Sequence, residues 1–400
     1  MALLPVSEAR QRILADARPM PAETVALQNA LGRVLAKPIV ARRDQPPFPA
    51  SAMDGYAVRV EDLGSLPATL RLVGTSAAGH GFRGNVKPGD ACRIFTGAPL
   101  PRGADTVVIQ ENTETRGTAI LVREGAKAGQ NVRAAGLDFT RGQELVPAAT
   151  VFNARDLGLA AAANAATVSL RRKPVVAVFA TGDELVEPGG RPRGDQIVSS
   201  NTTALAALIR QFGGEPLSLG IIKDDLQATR AAVRRALKAD IAVSTGGASV
   251  GDHDFVQEAL KLSGVAIDFW KIAMRPGKPF MYGTKAGRQF LSLPGNPVSA
   301  FVCATLFLKP LLSKMLGLPE RDSGTKAVLA AGLKANDGRE DYVRATLSTA
   351  PDGSRSATPF AKQDSSMQRT LREAQCLIVR PPHAPEAQPG DQVDVLLLDF

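Results

Sequence analysis

The stretches KPVVAVFAT (residues 173–181) and SNTTALAALIRQFGG (residues 200–214) set the pattern of the central part of the chain. The first is a short apolar run typical of a buried strand, and the second has apolar residues at helical spacing and ends at glycines. The alternation continues through PLSLGIIKDD (216–225), DLQATRAAVRRALKAD (225–240) and IAVST (241–245). Strands that alternate with helices predict an open, mostly parallel α/β sheet.

The same domain continues beyond residue 245. A helix is predicted at DFVQEALKLSG (254–264), a strand at AIDFWKIAM (266–274), a strand pair at FMYGT and RQFLSLPG (280–295), and a long buried helix at NPVSAFVCATLFLKPLLSKML (296–316). The apolar run at 298–308 is shorter than the roughly 20 residues that a membrane span needs. We therefore expect an α/β domain over residues 172–318.

The flanking regions have a different texture. Residues 1–40 and 151–166 favour helix, while 50–145 contain short β-like runs such as TLRLVG, ACRIFTG, DTVVIQE and AILVRE between Gly and Pro turns. This order predicts a helical stem over 1–168 that carries an inserted β domain at about 50–145. After Pro319 the runs KAVLAAGL, YVRATLST, CLIVRPP and DQVDVLLLDF predict a small C-terminal β domain over 325–400.

The composition limits the classes of function. The net charge is +9, but the basic residues are scattered and only 5% of residues are aromatic, so we expect a surface that attracts anionic small molecules and no nucleic-acid binding. The three cysteines are far apart and form no CxxC, a pattern typical of a reducing compartment. The N-terminus carries charges at Glu8, Arg10 and Arg12 and lacks the apolar core of a signal peptide. We expect a cytoplasmic protein without membrane association.

Charged and glycine-rich stretches follow the predicted strands. In open α/β sheets, ligands bind beyond the carboxyl ends of the strands. The acids placed there are Glu184, Asp224, Asp252 and Asp254, and the cations are Lys271, Arg275 and Lys278. Carboxylate oxygens suit Mg²⁺, which usually bridges to a phosphate, and the cations suit further anionic oxygens. The residues alone therefore predict a crevice for Mg²⁺ and phosphate, without a substrate.

Simpler interpretations stay open for several of these residues. Asp252 or Asp254 is equally a helix N-cap, the pair Asp224-Asp225 equally opens the next helix, and Lys278 is compatible with an ordinary turn. Asn201 is more typical of a helix cap than of a ligand contact. Ser249 lacks a histidine base and is not a candidate nucleophile.

Several motifs carry a resemblance to a known family. PPFPASAMDGYAV (46–58), RIFTGAPLPRGADTVV (93–108), TGDEL (181–185), GDQIVSSN (194–201), STGGASVGDHD (244–254), FWKIAMRPGKP (269–279) and LPGNPVSAF (293–301) resemble the molybdopterin molybdenumtransferase family. This is the MoeA type of enzyme in molybdenum cofactor biosynthesis, related to the E domain of gephyrin. The resemblance covers nearly the whole chain.

The resemblance implies a fold and an activity. The implied fold is a stem, an inserted β domain, a molybdopterin-binding α/β domain and a small C-terminal β barrel. The implied reaction takes adenylated molybdopterin and molybdate, with Mg²⁺ as cofactor, and yields molybdenum cofactor and AMP. The implied assembly is a homodimer whose active site draws on both chains, with transient contact to molybdopterin adenylyltransferase.

The motifs also carry residue roles over from the family. Glu184, Asp224 and Asp254 would serve Mg²⁺, while Lys271 and Arg275 would hold anionic oxygens, with Asp54, Glu184, Lys271 and Arg275 as catalytic residues. The implied substrate-binding residues are Thr96, Asp138, Asp224, Ser249, Lys278, Arg344 and Ser365. Asp54, Thr96 and Asp138 would contribute to the partner chain's site. The family often has lysine at the position of Arg275, which changes the geometry of that contact.

Two rival functions remain at this point. A molybdopterin adenylyltransferase shares the α/β unit but usually consists of that unit alone, so the flanking residues 1–168 and 320–400 count against it. A gephyrin-like scaffold or catalytically silent paralogue is disfavoured by the retained acids and cations.

Overall fold

The structure is a computed structural model that describes residues 3–247, 255–320, 324–398 and 400. Its residues form two compact units. The first unit contains Met1–Glu23, Gly32–Ala36 and Leu170–Phe400, and the second contains Thr24–Leu31 and Lys37–Ser169. The three domain boundaries expected from the sequence stay predictions.

The helices of the described residues are α1 (Val6–Ala15), α2 (Ala154–Ala162), α3 (Asn201–Gln211), α4 (Leu226–Ala236), α5 (Phe255–Leu262), α6 (Pro297–Cys303), α7 (Lys309–Met315) and α8 (Gln368–Glu373). The strands are β1 (Ala22–Ala26), β2 (Ile39–Val40), β3 (Ala50–Ser51), β4 (Gly55–Val58), β5 (Ala68–Ser76), β6 (Asp90–Ile94), β7 (Thr106–Ile109), β8 (Thr113–Arg116), β9 (Ala119–Val122), β10 (Val132–Arg133), β11 (Glu144–Val146), β12 (Thr167–Arg171), β13 (Val175–Thr181), β14 (Leu185–Val186), β15 (Ile197–Val198), β16 (Glu215–Ile222), β17 (Ile241–Thr245), β18 (Ala266–Trp270), β19 (Met274–Arg275), β20 (Met281–Lys285), β21 (Arg288–Leu293), β22 (Gly324–Leu329), β23 (Glu340–Thr349), β24 (Arg355–Pro359), β25 (Cys376–Arg380) and β26 (Gln392–Leu397).

The N-terminal region has less helix than its sequence predicts. Of residues 3–40, only α1 is an α-helix, and the chain then forms the strand Ala22–Ala26. Pro19 and Pro21 explain the difference, because proline lacks the amide donor and restricts the residue before it to extended backbone. The helix predicted at 151–166 is confirmed as α2, whose N-cap Asn153 and third residue Asp156 form a capping box.

The second unit contains a six-stranded sheet with the order β7-β4-β6-β5-β9-β8. The β-like runs of the sequence correspond to β5, β6, β7 and β9, so the predicted β module is confirmed. Apolar side chains such as Val58, Leu70 and Ile120 pack together as its core.

The first unit is built on a six-stranded sheet with the order β16-β13-β17-β21-β20-β18. Neighbours among β16, β13, β17 and β21 are parallel, while β20 is antiparallel to both β21 and β18. Alternate residues of β13 face opposite layers: Val176 and Val178 pack with α3 and the helix from Pro297, and Ala177 and Phe179 pack with α4 and α5. The mostly parallel α/β sheet covered on both faces is therefore as predicted.

The helical segment Pro297–Met315 comprises α6, a π-helical turn at Ala304–Leu308 and α7. Its mean hydropathy of 1.4 and its length would suffice to cross a membrane, but 67% of it is buried inside the protein. Val302, Phe307 and Leu311 lie in the main core of the unit. This segment is therefore built as a core helix.

The C-terminal region forms a sheet with the order β19-β23-β24-β22-β26-β25, and an additional β23–β25 pairing closes it into a barrel. The runs predicted as strands correspond to β22, β23, β25 and β26. Strand β24, which the sequence did not predict, pairs with β23 and β22. The predicted small C-terminal β barrel is confirmed.

Candidate active site

Five strands of the central sheet end at one edge, which we call the carboxyl edge. Strands β16, β13, β17 and β21 run parallel. Strand β18 runs in the same direction, because β18 and β21 are each antiparallel to β20. The loops that follow these strands contain Glu184, Asp224, Lys271 and the LPGNP turn. The sequence prediction that these loops share one edge is therefore confirmed.

Two acidic loops lie side by side on this edge. Strands β13 and β16 pair up to Thr181 and Ile222, and the Gly182 N–H donates to the Ile222 carbonyl at 3.3 Å. The N–H of Asp183 contacts Asp224 Oδ2 at 3.4 Å, and the N–H of Asp224 contacts Asp183 Oδ1 at 3.3 Å. The two loops thus brace each other through reciprocal carboxylate contacts.

The helix that follows Asp224 is capped by its neighbour. Asp225 is the N-cap of α4, and its side chain accepts a hydrogen bond from the Ala228 N–H at 2.8 Å. The alternative in which the pair Asp224-Asp225 opens this helix is therefore confirmed, with Asp225 as the capping residue.

Glu184 is exposed, and its carboxylate lies close to Gly182. A Cβ built at position 182 would be 2.4 Å from Glu184 Oε2, and Gly182 has a φ of 149°. Only glycine adopts this backbone without strain and leaves room for the carboxylate. Among the described residues, Glu184 makes no ion pair.

A cavity of about 70 Å³ opens beside Glu184. Its lining residues come from the ends of β13 and β17, the ribbon of β14 and β15, the start of α3 and the turn after β21: Ala180, Thr181, Glu184, Leu185, Ile197, Val198, Ser199, Ser200, Asn201, Thr245, Gly246 and Gly295. This location agrees with the rule that ligands bind at the carboxyl ends of parallel strands.

Asn201 has a role that the sequence did not indicate. It is the first residue of α3, and its side-chain Nδ2 donates to Thr245 Oγ1 at 2.8 Å and to the Gly295 carbonyl at 2.6 Å. The expected helix cap is wrong, because the amide instead joins the ends of β17 and β21. Only the motif SSN at the start of a helix pointed to this residue, and its partners lie 44 and 94 positions away.

Lys271 lies at the same edge but far from Glu184. It follows β18, and four strand spacings of about 4.8 Å place β18 roughly 19 Å from β13. Its backbone has a φ of 77°, and its Nζ lies 4.3 Å from the centroid of the Trp270 ring. Lys278 is exposed, and its carbonyl accepts hydrogen bonds from the Ile272 and Phe280 N–H groups.

Arg275 is engaged by acidic side chains of the barrel. Its Nε donates to Asp341 Oδ1 at 2.7 Å, its Nη2 also bonds to Asp341, and Asp337 lies 3.7 Å from Nη1. The bond to Asp341 raises the pKa of Arg275 despite its partial burial. Its expected contact with anionic oxygens stays a prediction.

Arg344 and Ser365 belong to the C-terminal region. Arg344 is 1% exposed, and burial lowers the pKa of its guanidinium, whose Nε donates to Gln363 Oε1 at 3.2 Å. Ser365 lies against the turn after β21: its Oγ accepts from Asn296 Nδ2 at 2.8 Å and its carbonyl accepts from the Val298 N–H at 3.0 Å. Of these two expected substrate-binding residues, Ser365 is next to the carboxyl edge. Arg344 is buried on β23, on the face opposite to Ala345, whose side chain lies in the barrel core.

In the second unit, Asp54 and Thr96 are in direct contact. Asp54 Oδ1 accepts hydrogen bonds from the Thr96 N–H at 2.8 Å and from Thr96 Oγ1 at 2.7 Å. The backbone bond, followed by the hydroxyl bond, lowers the pKa of Asp54 below its ordinary value of 3.8. Asp138 lies exposed on a separate turn, where its N–H donates to the Gln45 carbonyl at 2.9 Å.

The predicted metal ligands are only partly within the structure. Asp252, Asp254 and Ser249 lie outside the described residues. Within the described residues, no group of three or more His, Cys, Asp or Glu side chains is placed to hold a metal ion. Glu184 and the Asp183–Asp224 pair still fit Mg²⁺, because that ion is usually held by one or two carboxylates together with substrate phosphates.

Three family descriptions match successive parts of the chain. Residues 4–164 match the "MoeA N-terminal region (domain I and II)", residues 177–314 a "Probable molybdopterin binding domain", and residues 326–398 the "MoeA C-terminal region (domain IV)". The second match includes every residue that lines the cavity.

Curated and structural relatives agree with these matches. A molybdopterin molybdenumtransferase of Haemophilus influenzae is 33% identical over 98% of both chains, and one of a Nostoc species is 41% identical over 74% of this chain and 70% of its own. The crystal structure of a molybdopterin biosynthesis MoeA protein from Pyrococcus horikosii superposes with a TM-score of 0.88 at 29% identity, covering 100% of both chains. The chain therefore belongs to the molybdopterin molybdenumtransferase family of enzymes, which act in molybdenum cofactor biosynthesis.

Proposed function

We propose that the protein inserts molybdate into adenylated molybdopterin, with Mg²⁺-dependent release of AMP, and so forms molybdenum cofactor. One observation carries the proposal: the Glu184 and Asp224 loops adjoin beside a cavity, and Lys271 follows a strand that ends at the same edge roughly 19 Å away. Separated acidic and cationic ends suit an elongated ligand that carries a metal-bound phosphate at one end and receives an oxyanion at the other.

The acidic loops are the proposed holders of Mg²⁺. Glu184 and Asp224 would be ligands, with Asp254 as a further candidate. When bound, Mg²⁺ would neutralise phosphate oxygens of the substrate. Asp183 would hold Asp224 in place through the reciprocal contacts between their loops.

The cationic end is the proposed place for molybdate. Lys271 and Lys278 offer ammonium groups, which bind oxyanions as point charges. Arg275 would attract the oxyanion by its positive charge, while its Nε and Nη2 stay hydrogen-bonded to Asp341. Ser365 would contribute a hydroxyl from the loop beside Asn296.

The assembly is also part of the proposal. We propose a homodimer in which Asp54, Thr96 and Asp138 complete the partner chain's site, with Arg344 and Ser249 as additional substrate contacts. The substrate would be received in the cytoplasm through transient contact with molybdopterin adenylyltransferase. The burial of all three cysteines as free thiols agrees with a reducing compartment.

An assay of the purified protein tests this function. Adenylated molybdopterin and molybdate are incubated with and without Mg²⁺, and both AMP and active cofactor are measured, the latter by reconstitution of a cofactor-free molybdoenzyme. We expect both products only with Mg²⁺, and their loss in Glu184→Ala. Accumulation of adenylate from ATP and molybdopterin would instead indicate an adenylyltransferase, and absence of substrate binding a scaffold.

A further inference from the structure

We infer that Asn201 is a specificity-determining residue, whose Oδ1 accepts a hydrogen bond from the amino group of the pterin ring. This inference rests on the proposed function and adds to it a residue and a ligand group. Its starting point is the position of Asn201 in the cavity wall, between the ends of β17 and β21.

The hydrogen bonds fix the orientation of the Asn201 amide. The Gly295 carbonyl can only accept, so the group at 2.6 Å from it must be the Nδ2 donor. The Thr245 hydroxyl gives its hydrogen to the Pro294 carbonyl at 3.1 Å, so it accepts from the same Nδ2 at 2.8 Å. Both amide hydrogens are therefore used by the protein.

The other atom of the amide remains for a ligand. Oδ1 has two lone pairs, and none of the residues that the structure describes donates a hydrogen bond to it. Because Nδ2 is held at two points, the amide cannot turn over to present a donor instead. Asn201 thus offers the cavity a fixed acceptor.

The chemistry of the ligand follows from this acceptor. The region 177–314, which contains the whole cavity wall, matches a probable molybdopterin binding domain. The pterin ring of molybdopterin carries an exocyclic amino group, which is a hydrogen-bond donor. A site built to pair with a donor rejects a ligand that lacks it, because its own acceptor would lose its partner.

Equilibrium dialysis with molybdopterin tests the inference. We expect Asn201→Ala to weaken molybdopterin binding about 10-fold, the upper range for one neutral hydrogen bond, and to change AMP binding by less than about 2-fold. The matched control is Thr245→Val, which removes an acceptor of Nδ2 but leaves Oδ1 and the Gly295 contact. Because the Gly295 contact still holds the amide, this variant should lose clearly less molybdopterin binding than Asn201→Ala. Equal losses in both variants, or an equal loss of AMP binding, would show that Asn201 only positions the loops and would overturn the inference.

A competition experiment on the unmodified protein avoids any effect of substitutions on folding. Pterin and lumazine compete for bound molybdopterin; lumazine carries an oxygen in place of the amino group. We expect pterin to compete at least about 10-fold better, and equal competition would overturn the inference. Failure of the unmodified protein to bind molybdopterin at all would instead refute the proposed function.

Discussion

The Glu184 carboxylate occupies the space that a Cβ at position 182 would need, only 2.4 Å from that atom. We therefore expect Gly182→Ala to displace the carboxylate and to reduce cofactor formation by at least about 10-fold, as for a misplaced catalytic group. The melting temperature should fall only by the amount that the strained backbone of alanine causes, because the exposed Glu184 side chain can move aside. Initial rates of cofactor formation and thermal melting of the variant measure the two effects.

Gly189→Ala is the matched control for this prediction. Gly189 has a φ of 89°, so alanine there is strained as well, but nothing lies within 4 Å of its added Cβ. Equal rates of cofactor formation in the two variants would show that Gly182→Ala does not act by displacing the Glu184 carboxylate.

Two hydrogen bonds from Thr96 lower the pKa of Asp54. Thr96→Val removes the hydroxyl bond and keeps the stronger backbone bond, so we expect the pKa of Asp54 to rise part of the way toward 3.8. The native pKa is lowered, so the stability from this contact is present above the unfolded pKa and is lost as pH falls through the folded pKa. Carboxyl ¹³C titration by NMR measures the shift, and Thr96→Ser should leave it unchanged.

The sequence predicted which charged residues follow the strands, but it did not predict the side chains that they contact. Glu184 and Asp224 were found because carboxyl ends of parallel strands meet at one edge. The pairing of Arg275 with Asp341, 66 positions later, depends on how the barrel closes, which no local pattern contains. The role of Asn201 was not predictable for the same reason, because its hydrogen-bond partners Thr245 and Gly295 are distant in the sequence.

In the central sheet, Asp240 joins the amino ends of three strands. It precedes β17, is 7% exposed, and accepts hydrogen bonds from Arg172, Arg288 and the Val175 N–H. Burial alone would raise the pKa of Asp240, but these donors together lower it. The network therefore anchors β13, β17 and β21 at the edge opposite the cavity.

We expect Asp240→Asn to lower the free energy of unfolding by about 1–3 kcal/mol, less than for a fully buried pair because both arginines are partly exposed. Denaturant titration measures this change. Asp394→Asn is the control, because its pair with Lys326 is exposed and should contribute less than about 1 kcal/mol. If both variants lost a similar amount of unfolding free energy, Asp240 would not anchor the three strands.

The order of strands and helices from 173 to 315 was predictable, because buried strands and amphipathic helices have distinct periods. The N-terminal helix was overestimated, since apolar residues such as Leu31 and Leu35 resemble a helical face although Pro19 and Pro21 interrupt it. Strand β24, RSATP, is short and polar, and only its pairing with β23 and β22 defines it. Tertiary pairing, not local preference, decides such segments.

The candidate site residues are divided between the two units of the chain. Asp54 and Thr96 lie in the second unit, and Glu184, Asp224 and Lys271 lie in the first. The proposed dimer makes a specific prediction, because a site shared between chains needs Asp54 from one and Glu184 from the other. Asp54→Ala and Glu184→Ala homodimers would then each contain only incomplete sites.

Mixing the two inactive variants tests this composite site. After subunit exchange, half of the dimers are mixed, and each mixed dimer contains one site with both residues intact, so we expect about a quarter of the unmodified activity to return. Light scattering confirms that both variants are dimers before mixing. If each active site were instead formed by one chain alone, both sites of every mixed dimer would carry one of the two substitutions. No activity would then return. Mixing Glu184→Ala with Asp224→Ala supplies the control, because both residues belong to the same unit and no intact site can form.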